Sequence, residues 1–290
     1  SAYFIAGMDL FDAVSHAFST VAIGGFSTHD ASLGYYDDPY IELVAIVFMI
    51  LGGINFALHF SAWRRASAQP YFSDPELKVY AVLLASFAVL VSFALYLTGT
   101  YDSLASSFRY GFFQVVSAMT TTGFTTQDYE LWPQAALMFL FAVCFIGACA
   151  GSTTSGIKIV HYVVICKFMA AAIKKIFLQP MSVISVRLNQ RPVDDSIIYL
   201  SVCYFIVNIF IIFLGGCFMT LVDDMDYGTA MSSVISALMT IGPGFGEIGP
   251  SENFYYISDM GKWFLAWNML VGRLEMFSAL VIFYPSFWRR

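Results

Sequence analysis

Charged residues are scarce in this sequence. They make up 12% of its 290 residues, whereas 59% are hydrophobic and the mean hydropathy is +0.72. An ordinary soluble domain carries about 25% charged and about 45–50% apolar residues, so one soluble core would not bury this much apolar surface. A bilayer is a solvent as apolar as a protein core. The composition therefore predicts a membrane protein.

Residues typical of several other functions are also lacking. A net charge of −6 provides no polycation for nucleic acid, and the five cysteines lack metal-ligand spacing. No Ser/His/Asp set, phosphate loop or metal motif accompanies the four histidines, so we predict neither an enzyme nor a resident cofactor. No basic segment precedes the first apolar residues, which predicts no cleavable signal. Because the chain opens without Met inside a recognisable unit, we interpret it as part of a longer protein.

Long apolar runs predict membrane spans. A spanning helix needs about 20 apolar residues, and five stretches reach that length: 41–63, 77–97, 132–177, 197–222 and 262–288. The third is too long for one crossing and is interrupted by a small, polar, glycine-rich segment at 147–156. Asp74 and Glu76, just before the second stretch, are interpreted as helix-start residues.

Basic residues cluster on one side of these spans. If the five spans alternate, that side is cytoplasmic by the positive-inside rule, and the opposite side is acidic. Arg109 and Lys262 depart from the rule, and Lys158 and Arg273 are left within the membrane. The cytoplasmic set comprises Arg64, Arg65, Lys78, Lys167, Lys174, Lys175, Arg187, Arg191, Arg289 and Arg290.

Three short stretches repeat in one register. Each follows an amphipathic segment too short to cross a bilayer, at 11–20, 108–119 and 229–239, and each precedes a polar or acidic outer segment. A gapless alignment pairs Gly25 with Gly123 and Gly244, each of which is followed by phenylalanine. The order span, half-helix, loop, span predicts loops that re-enter the membrane.

Such loops suit the binding of a cation. Non-helical backbone at membrane depth is tolerated where it lines a water-filled cavity, and its carbonyl oxygens can replace a cation's hydration shell. The C-terminal end of each half-helix adds about half a negative charge. Glycine also serves close helix packing, but packing does not require three loops in one register. The predicted filter residues are Ala22, Ile23, Gly24, Gly25, Thr120, Thr121, Thr122, Gly123, Ile241, Gly242, Pro243 and Gly244.

The loops resemble those of the Trk/Ktr/HKT superfamily of potassium transporters. The third, Thr240-Ile-Gly-Pro-Gly244, differs at two positions from the Thr-Val-Gly-Tyr-Gly filter of potassium channels. The resemblance covers essentially the whole chain. It implies an all-α membrane protein in which span–pore helix–span units surround a central pore with re-entrant selectivity-filter loops. It also implies potassium as the transported ligand and location in the cell inner membrane.

Four such units form the superfamily's pore, and this chain carries three loops. Residues 1–65 then correspond to the pore helix, filter loop and second span of repeat two. Residues 66–180 correspond to repeat three with its broken gating helix, and residues 181–290 to repeat four. The presence of glycine at all three aligned filter positions favours potassium over sodium.

Two intramembrane features are candidate gate elements. An ionisable residue at membrane depth is functional by default, and the resemblance implies that Arg273 projects into the permeation path. The alternative is a carboxylate partner, although Glu275, two residues away, does not share its helix face. The resemblance also implies that segment 147–156 blocks the pore until it moves; the alternative is a simple kink. Its candidate residues are Gly147, Gly151, Ser152, Thr153, Thr154, Ser155 and Gly156, with Lys158 expected to anchor the loop to a carboxylate.

Partners follow from the same resemblance. It implies membrane lipid, a homodimer and a cytoplasmic TrkA-like regulatory subunit that binds ATP/ADP or NAD. Lys174, Lys175, Arg187 and Arg191 are the candidate docking residues. Two other functions stay open. An ion-coupled secondary transporter would need a coupling carboxylate, for which the spans offer Glu42 and Glu275. A non-conducting scaffold would not need three filter loops.

Overall fold

The computed structural model describes residues 2–177, 187–188, 191–274 and 276–288. Helices dominate it, which confirms the predicted all-α class. In chain order the elements are α1 (Ala2–Ile5), α2 (Leu10–Ala22), α3 (Pro39–Gly52), α4 (Phe56–Arg65), α5 (Gln69–Ser73), α6 (Pro75–Leu97), α7 (Leu104–Met119), α8 (Gln134–Cys144), α9 (Ile159–Phe177), a two-residue hairpin of β1 (Arg187–Leu188) and β2 (Arg191–Pro192), α10 (Asp195–Asp223), α11 (Tyr227–Met239), α12 (Asp259–Arg273) and α13 (Met276–Leu280).

In the described part of the chain, two helices are long and apolar enough to cross a membrane by themselves. They are α6, with 23 residues, and α10, with 29, and they coincide with two of the predicted spans. Helix α6 begins as its sequence indicates, because the Asp74 side chain accepts a hydrogen bond from the backbone N–H of Leu77 at 2.8 Å and Pro75 occupies the first turn.

Two other predicted spans, over 41–63 and 262–288, are bent pairs of helices rather than single helices. Helices α3 and α4 make an angle of 93°, and α12 makes an angle of 115° with the segment Met276–Phe283. At the first break, Asn55 caps α4 by accepting a hydrogen bond from the N–H of Ala57 at 2.8 Å. At the second, Arg273 is the last residue of α12 rather than the middle of a continuous helix.

The third long stretch divides as the glycine-rich interruption predicts. Helix α8 has 11 residues and ends at Cys144, and α9 begins at Ile159. An irregular segment joins them, and we call residues 147–156 of it the intramembrane loop. Helix α8 alone is shorter than a spanning helix.

The half-helices α2, α7 and α11 hold the repeats together. Helix α7 packs against α6 and α8, and α11 packs against α10 and α12. Contacts of α3 with α7, and of α8 with α11, join one group to the next. The ends of α7 and α11 are deeply buried, since Met119 and Met239 have no exposed surface, whereas α2 ends at the exposed Val21 and Ala22. The second and third repeated loops therefore start inside the fold, and the first starts at its surface.

An ion pair that sequence analysis missed joins α7 to α3. The Nε of Arg109 donates to Glu42 at 2.7 Å, and its NH2 donates to Glu42 at 2.9 Å and to Asp37 at 2.8 Å. The Glu42 side chain is only 3% exposed. Removing Arg109 would cost about 3–5 kcal/mol, because the Glu42 carboxylate would stay buried and uncompensated. This pairing explains why an arginine departs from the positive-inside rule here.

Candidate functional site

The three half-helices end in the same turn. The chain leaves each helix through a residue in the left-handed region, namely Ile23, Thr121 and Thr240 at φ 54°, 56° and 53°. The next residue donates its N–H to a serine carbonyl one turn back: Gly24 to Ser19 at 2.8 Å, Thr122 to Ser117 at 2.9 Å and Ile241 to Ser236 at 2.9 Å. A glycine of positive φ then follows, at Gly25 (70°), Gly123 (86°) and Gly242 (106°). These are helix ends of the Schellman type.

This shared geometry corrects the alignment of the third loop. Gly242, rather than Gly244, is the counterpart of Gly25 and Gly123, so the gapless alignment was wrong by two residues. The Gly-Phe dipeptide at 244–245 produced the error. Gly244 lies off the turn: it donates its N–H to Ile248 at 2.8 Å, and its carbonyl accepts from the Tyr129 hydroxyl at 2.6 Å. A sequence signal for the correct register exists, because each loop glycine lies six residues after a serine.

The three loops lie side by side. A Cβ atom at Gly25 would lie 1.9 Å from the carbonyl oxygen of Thr122, and one at Gly123 would lie 1.9 Å from that of Ile241. Thr122 and Ile241 occupy equivalent places in their loops, so the two contacts repeat the same packing. Only glycine permits so close a backbone approach.

Most of the predicted filter residues line one cavity of about 700 Å³. They are Ala22, Ile23, Gly24, Gly25, Thr122, Gly123, Ile241, Gly242 and Pro243. The other three predicted residues, Thr120, Thr121 and Gly244, do not line this cavity. The Thr120 hydroxyl is buried and pairs with Thr122 at 2.7 Å, and the Thr121 hydroxyl faces the intramembrane loop. Two further cavities adjoin this one, about 250 Å³ on the side of Asp30 and Glu252 and about 220 Å³ on the side of Lys158.

Asp12 of α2 binds the side chains of the segment that follows the first loop. Its carboxylate accepts hydrogen bonds from the Tyr36 hydroxyl and, at 2.7 Å, from the Thr28 hydroxyl, and lies 3.0 Å from the His29 Nε2. These hydrogen bonds lower the pKa of Asp12 to about 2. The carboxylate therefore stays ionised well below neutral pH. Stacking of His29 on Tyr35, with ring centroids 3.7 Å apart, completes this cluster.

The intramembrane loop lies beneath the ends of all three half-helices. The Ser155 N–H donates to the Thr121 hydroxyl at 3.0 Å, and the Thr153 hydroxyl donates to the Val21 carbonyl at 3.3 Å. A Cβ at Gly156 would lie 3.5 Å from the sulfur of Met239. The loop is thus in direct contact with the ends of the half-helices from which the three repeated loops start.

The break between α3 and α4 supports this loop from the side. The N–H groups of Cys149 and Thr153 donate to the carbonyls of Gly53 and Gly52 at 3.0 and 3.3 Å. In return, the N–H of Phe56 donates to the Gly151 carbonyl at 3.0 Å. The bend that sequence analysis missed therefore has a role, because its unpaired backbone groups bond the loop.

Two cationic side chains, those of Arg273 and Lys158, donate hydrogen bonds to the loop. Arg273 donates from NH1 to the Thr153 carbonyl and, at 3.3 Å, to the Ser155 hydroxyl. Lys158 donates to the Thr154 carbonyl and, at 3.2 Å, to the Thr154 hydroxyl. Arg273 also lines both the filter cavity and the cavity below it. The two gate features predicted separately thus meet at residues 153–155.

The docking residues predicted from the sequence are described only in part. Lys174 and Lys175 lie exposed in the last turn of α9. Glu275, Arg289 and Arg290 lie outside the described residues, and so do the side chains of Arg187 and Arg191.

Comparison with known proteins agrees with this geometry. The family model for TrkH, described as a cation transport protein, matches residues 2–290. The chain belongs to the TrkH family. This confirms the superfamily resemblance inferred from the loops, and the chain is accordingly a membrane protein.

Curated TrkH proteins are similar over the whole chain. The Trk system potassium uptake protein TrkH of Halomonas elongata is 40% identical over 291 residues, which cover 100% of this chain and 59% of that protein. The protein of the same name from Escherichia coli K12 is 38% identical, covering 99% and 59%. The crystal structure of the potassium transporter TrkH from Vibrio parahaemolyticus matches with a TM-score of 0.93 at 34% identity, covering 99% of this chain and 61% of that one. The chain thus spans about three-fifths of the length of these relatives.

Proposed function

We propose that this chain supplies three filter loops and the gate of a potassium uptake pore. The observation that carries the proposal is the arrangement of three loops of one backbone conformation around a single cavity, with the intramembrane loop directly beneath them. Relatives named as potassium uptake proteins support potassium as the transported cation.

The filter acts through its backbone. Carbonyl oxygens of the cavity-lining residues 22–25, 122–123 and 241–243 replace part of the ion's hydration shell, and the C-terminal dipoles of α2, α7 and α11 favour a cation at the same place. Acidic residues at the outer mouth, such as Asp30 and Glu252, raise the local cation concentration. The transported ion is the substrate, and no catalytic residue or resident cofactor is assigned.

The gate acts on the inner side of the filter. In the observed arrangement the intramembrane loop is bonded to the filter by Ser155 and to α12 by Arg273. The guanidinium opposes an entering cation, and the loop obstructs the path until it moves. Conduction then requires the contacts of residues 153–155 with Thr121 and Arg273 to be released.

The proposal extends to the assembly. We place the protein in the cell inner membrane as a multi-pass homodimer with its basic loops in the cytoplasm. Lys174 and Lys175 then belong to a face that docks a TrkA-like regulatory subunit carrying ATP/ADP or NAD. The ion-coupled alternative has less support, because its candidate carboxylate Glu42 is already paired with Arg109.

The test is rubidium uptake into proteoliposomes that hold the full-length protein. Because rubidium and potassium are similar in size and charge, we expect unlabelled potassium to block rubidium uptake. Sodium at the same concentration should leave most of the rubidium uptake intact. Uptake that potassium and sodium block equally would contradict a potassium-selective filter. Empty liposomes prepared in parallel provide the background.

A further inference from the structure

We infer that Glu76 is a positioning residue that latches the intramembrane loop in the observed arrangement. Its Oε1 accepts hydrogen bonds from the N–H of Ala150 at 2.8 Å and from the N–H of Val160 at 3.1 Å. Ala150 lies within the loop, and Val160 lies in the first turn of α9 just after it. One carboxylate oxygen therefore joins the two sides of the loop.

The latch comes from a different element than the loop itself. Glu76 lies in the first turn of α6, 74 residues before Ala150 and 84 before Val160. It is half-buried. Helix α6 is long and apolar enough to span the membrane by itself, so it offers a fixed anchor.

Glu76 satisfies backbone groups that the loop otherwise leaves open. The first N–H groups of a helix have no partner within that helix, and a carboxylate near them is favoured by the helix dipole. Glu76 fills this role for α9 from outside the helix. A carboxylate acceptor also forms stronger hydrogen bonds than a neutral one. Movement of the loop breaks the bond from Ala150 while the bond from Val160 keeps the carboxylate in place, which biases the loop toward the observed arrangement.

The chain provides its own reporter of this movement. Cys149 precedes Ala150, and its side chain is 1% exposed in the observed arrangement. We would use the full-length protein in proteoliposomes, with every cysteine except Cys149 replaced by alanine, and measure labelling by a water-soluble maleimide. Gel filtration first selects variants that remain monodisperse.

We expect Glu76→Ala to raise the labelling rate of Cys149 about tenfold or more, because two charge-assisted hydrogen bonds are lost. Glu76→Gln keeps an acceptor oxygen at the same place but loses the charge, so we expect its labelling rate to lie between those of the parent and of Glu76→Ala. Asp74→Ala is the matched control: it removes a carboxylate from the same helix start, but one that caps Leu77 rather than the loop.

The outcomes separate the latch from the gate. Labelling at the parental rate in folded Glu76→Ala, or an equal rise in Asp74→Ala, would overturn the latch. Rubidium uptake in the same vesicles then tests the proposed function on which the consequence for flux rests. Faster labelling with higher uptake supports both. Faster labelling without higher uptake keeps Glu76 as the latch and shows that the loop is not the gate.

Discussion

Replacing Gly123 with serine is expected to lower rubidium uptake at least about tenfold and to reduce the preference for potassium over sodium. A side chain at φ 86° is strained, at a cost of about 1–3 kcal/mol. In addition, its Cβ would lie 1.9 Å from the Ile241 carbonyl oxygen, so the second and third loops must separate. Separation moves the carbonyls that replace the ion's hydration shell. The measurement is rubidium uptake with potassium and sodium as competitors.

Gly99→Ser is the matched control for this substitution. Gly99 also has a positive φ, 67°, but a Cβ there would meet nothing within 4 Å. It lies in the turn after α6, away from the filter, so the control carries the backbone strain without the collision. Equal losses in the two variants would attribute the effect to folding. Unchanged uptake in folded Gly123→Ser would show that the loops do not form the selective part of the path.

Replacing Arg273 with alanine is expected to raise rubidium uptake on the order of tenfold. A unit charge about 10 Å from the ion contributes roughly 1–2 kcal/mol at an effective dielectric constant of about 20. The substitution also removes the hydrogen bonds to Thr153 and Ser155 that hold the intramembrane loop. Initial rates of uptake at equal protein content provide the measurement.

Two companion variants separate charge from hydrogen bonding. Arg273→Gln keeps an N–H donor but loses the charge, so a rise in Arg273→Ala alone would assign the effect to the loop contacts. Lys262→Ala removes an exposed cation from the outer end of the same helix and leaves uptake unchanged. Unchanged or lower uptake in well-folded Arg273→Ala would remove Arg273 as a barrier.

The half-helices could be predicted from sequence because their signals are local. The predicted segments 11–20, 108–119 and 229–239 correspond to α2, α7 and α11 within a few residues. Amphipathic spacing and capping residues mark such helices directly. The loops after them were recognised by their glycines, although the third required the backbone geometry to fix its register at Gly242.

The bends could not be predicted from hydropathy. Apolar residues continue through the breaks at 53–55 and 274, so a window of about 20 residues registers one span at each. At the first break, α3 and α4 are separated because Asn55 caps α4 and because the Gly52 and Gly53 carbonyls accept hydrogen bonds from the intramembrane loop. The loop residues that bond these two carbonyls, Cys149 and Thr153, lie about 100 residues further along the chain.

Glu76 shows the same limit for a single side chain. Beside Asp74 and Pro75 it resembles an ordinary helix-start residue, and Asp74 does cap α6. Its contacts with Ala150 and Val160 exist only once α6 and the loop are packed together. Likewise, the sequence marks Arg109 as an exception to the charge pattern, but its partner Glu42 is 67 residues away.

The most direct test of the central claim is the position of a bound cation. The measurement is an anomalous difference map of the full-length protein crystallised in rubidium. The filter account predicts a peak in the cavity bounded by Gly25, Gly123 and Gly242, within coordinating distance of backbone carbonyls from these loops. Rubidium peaks confined to the acidic outer mouth, with none between the loops, would contradict it.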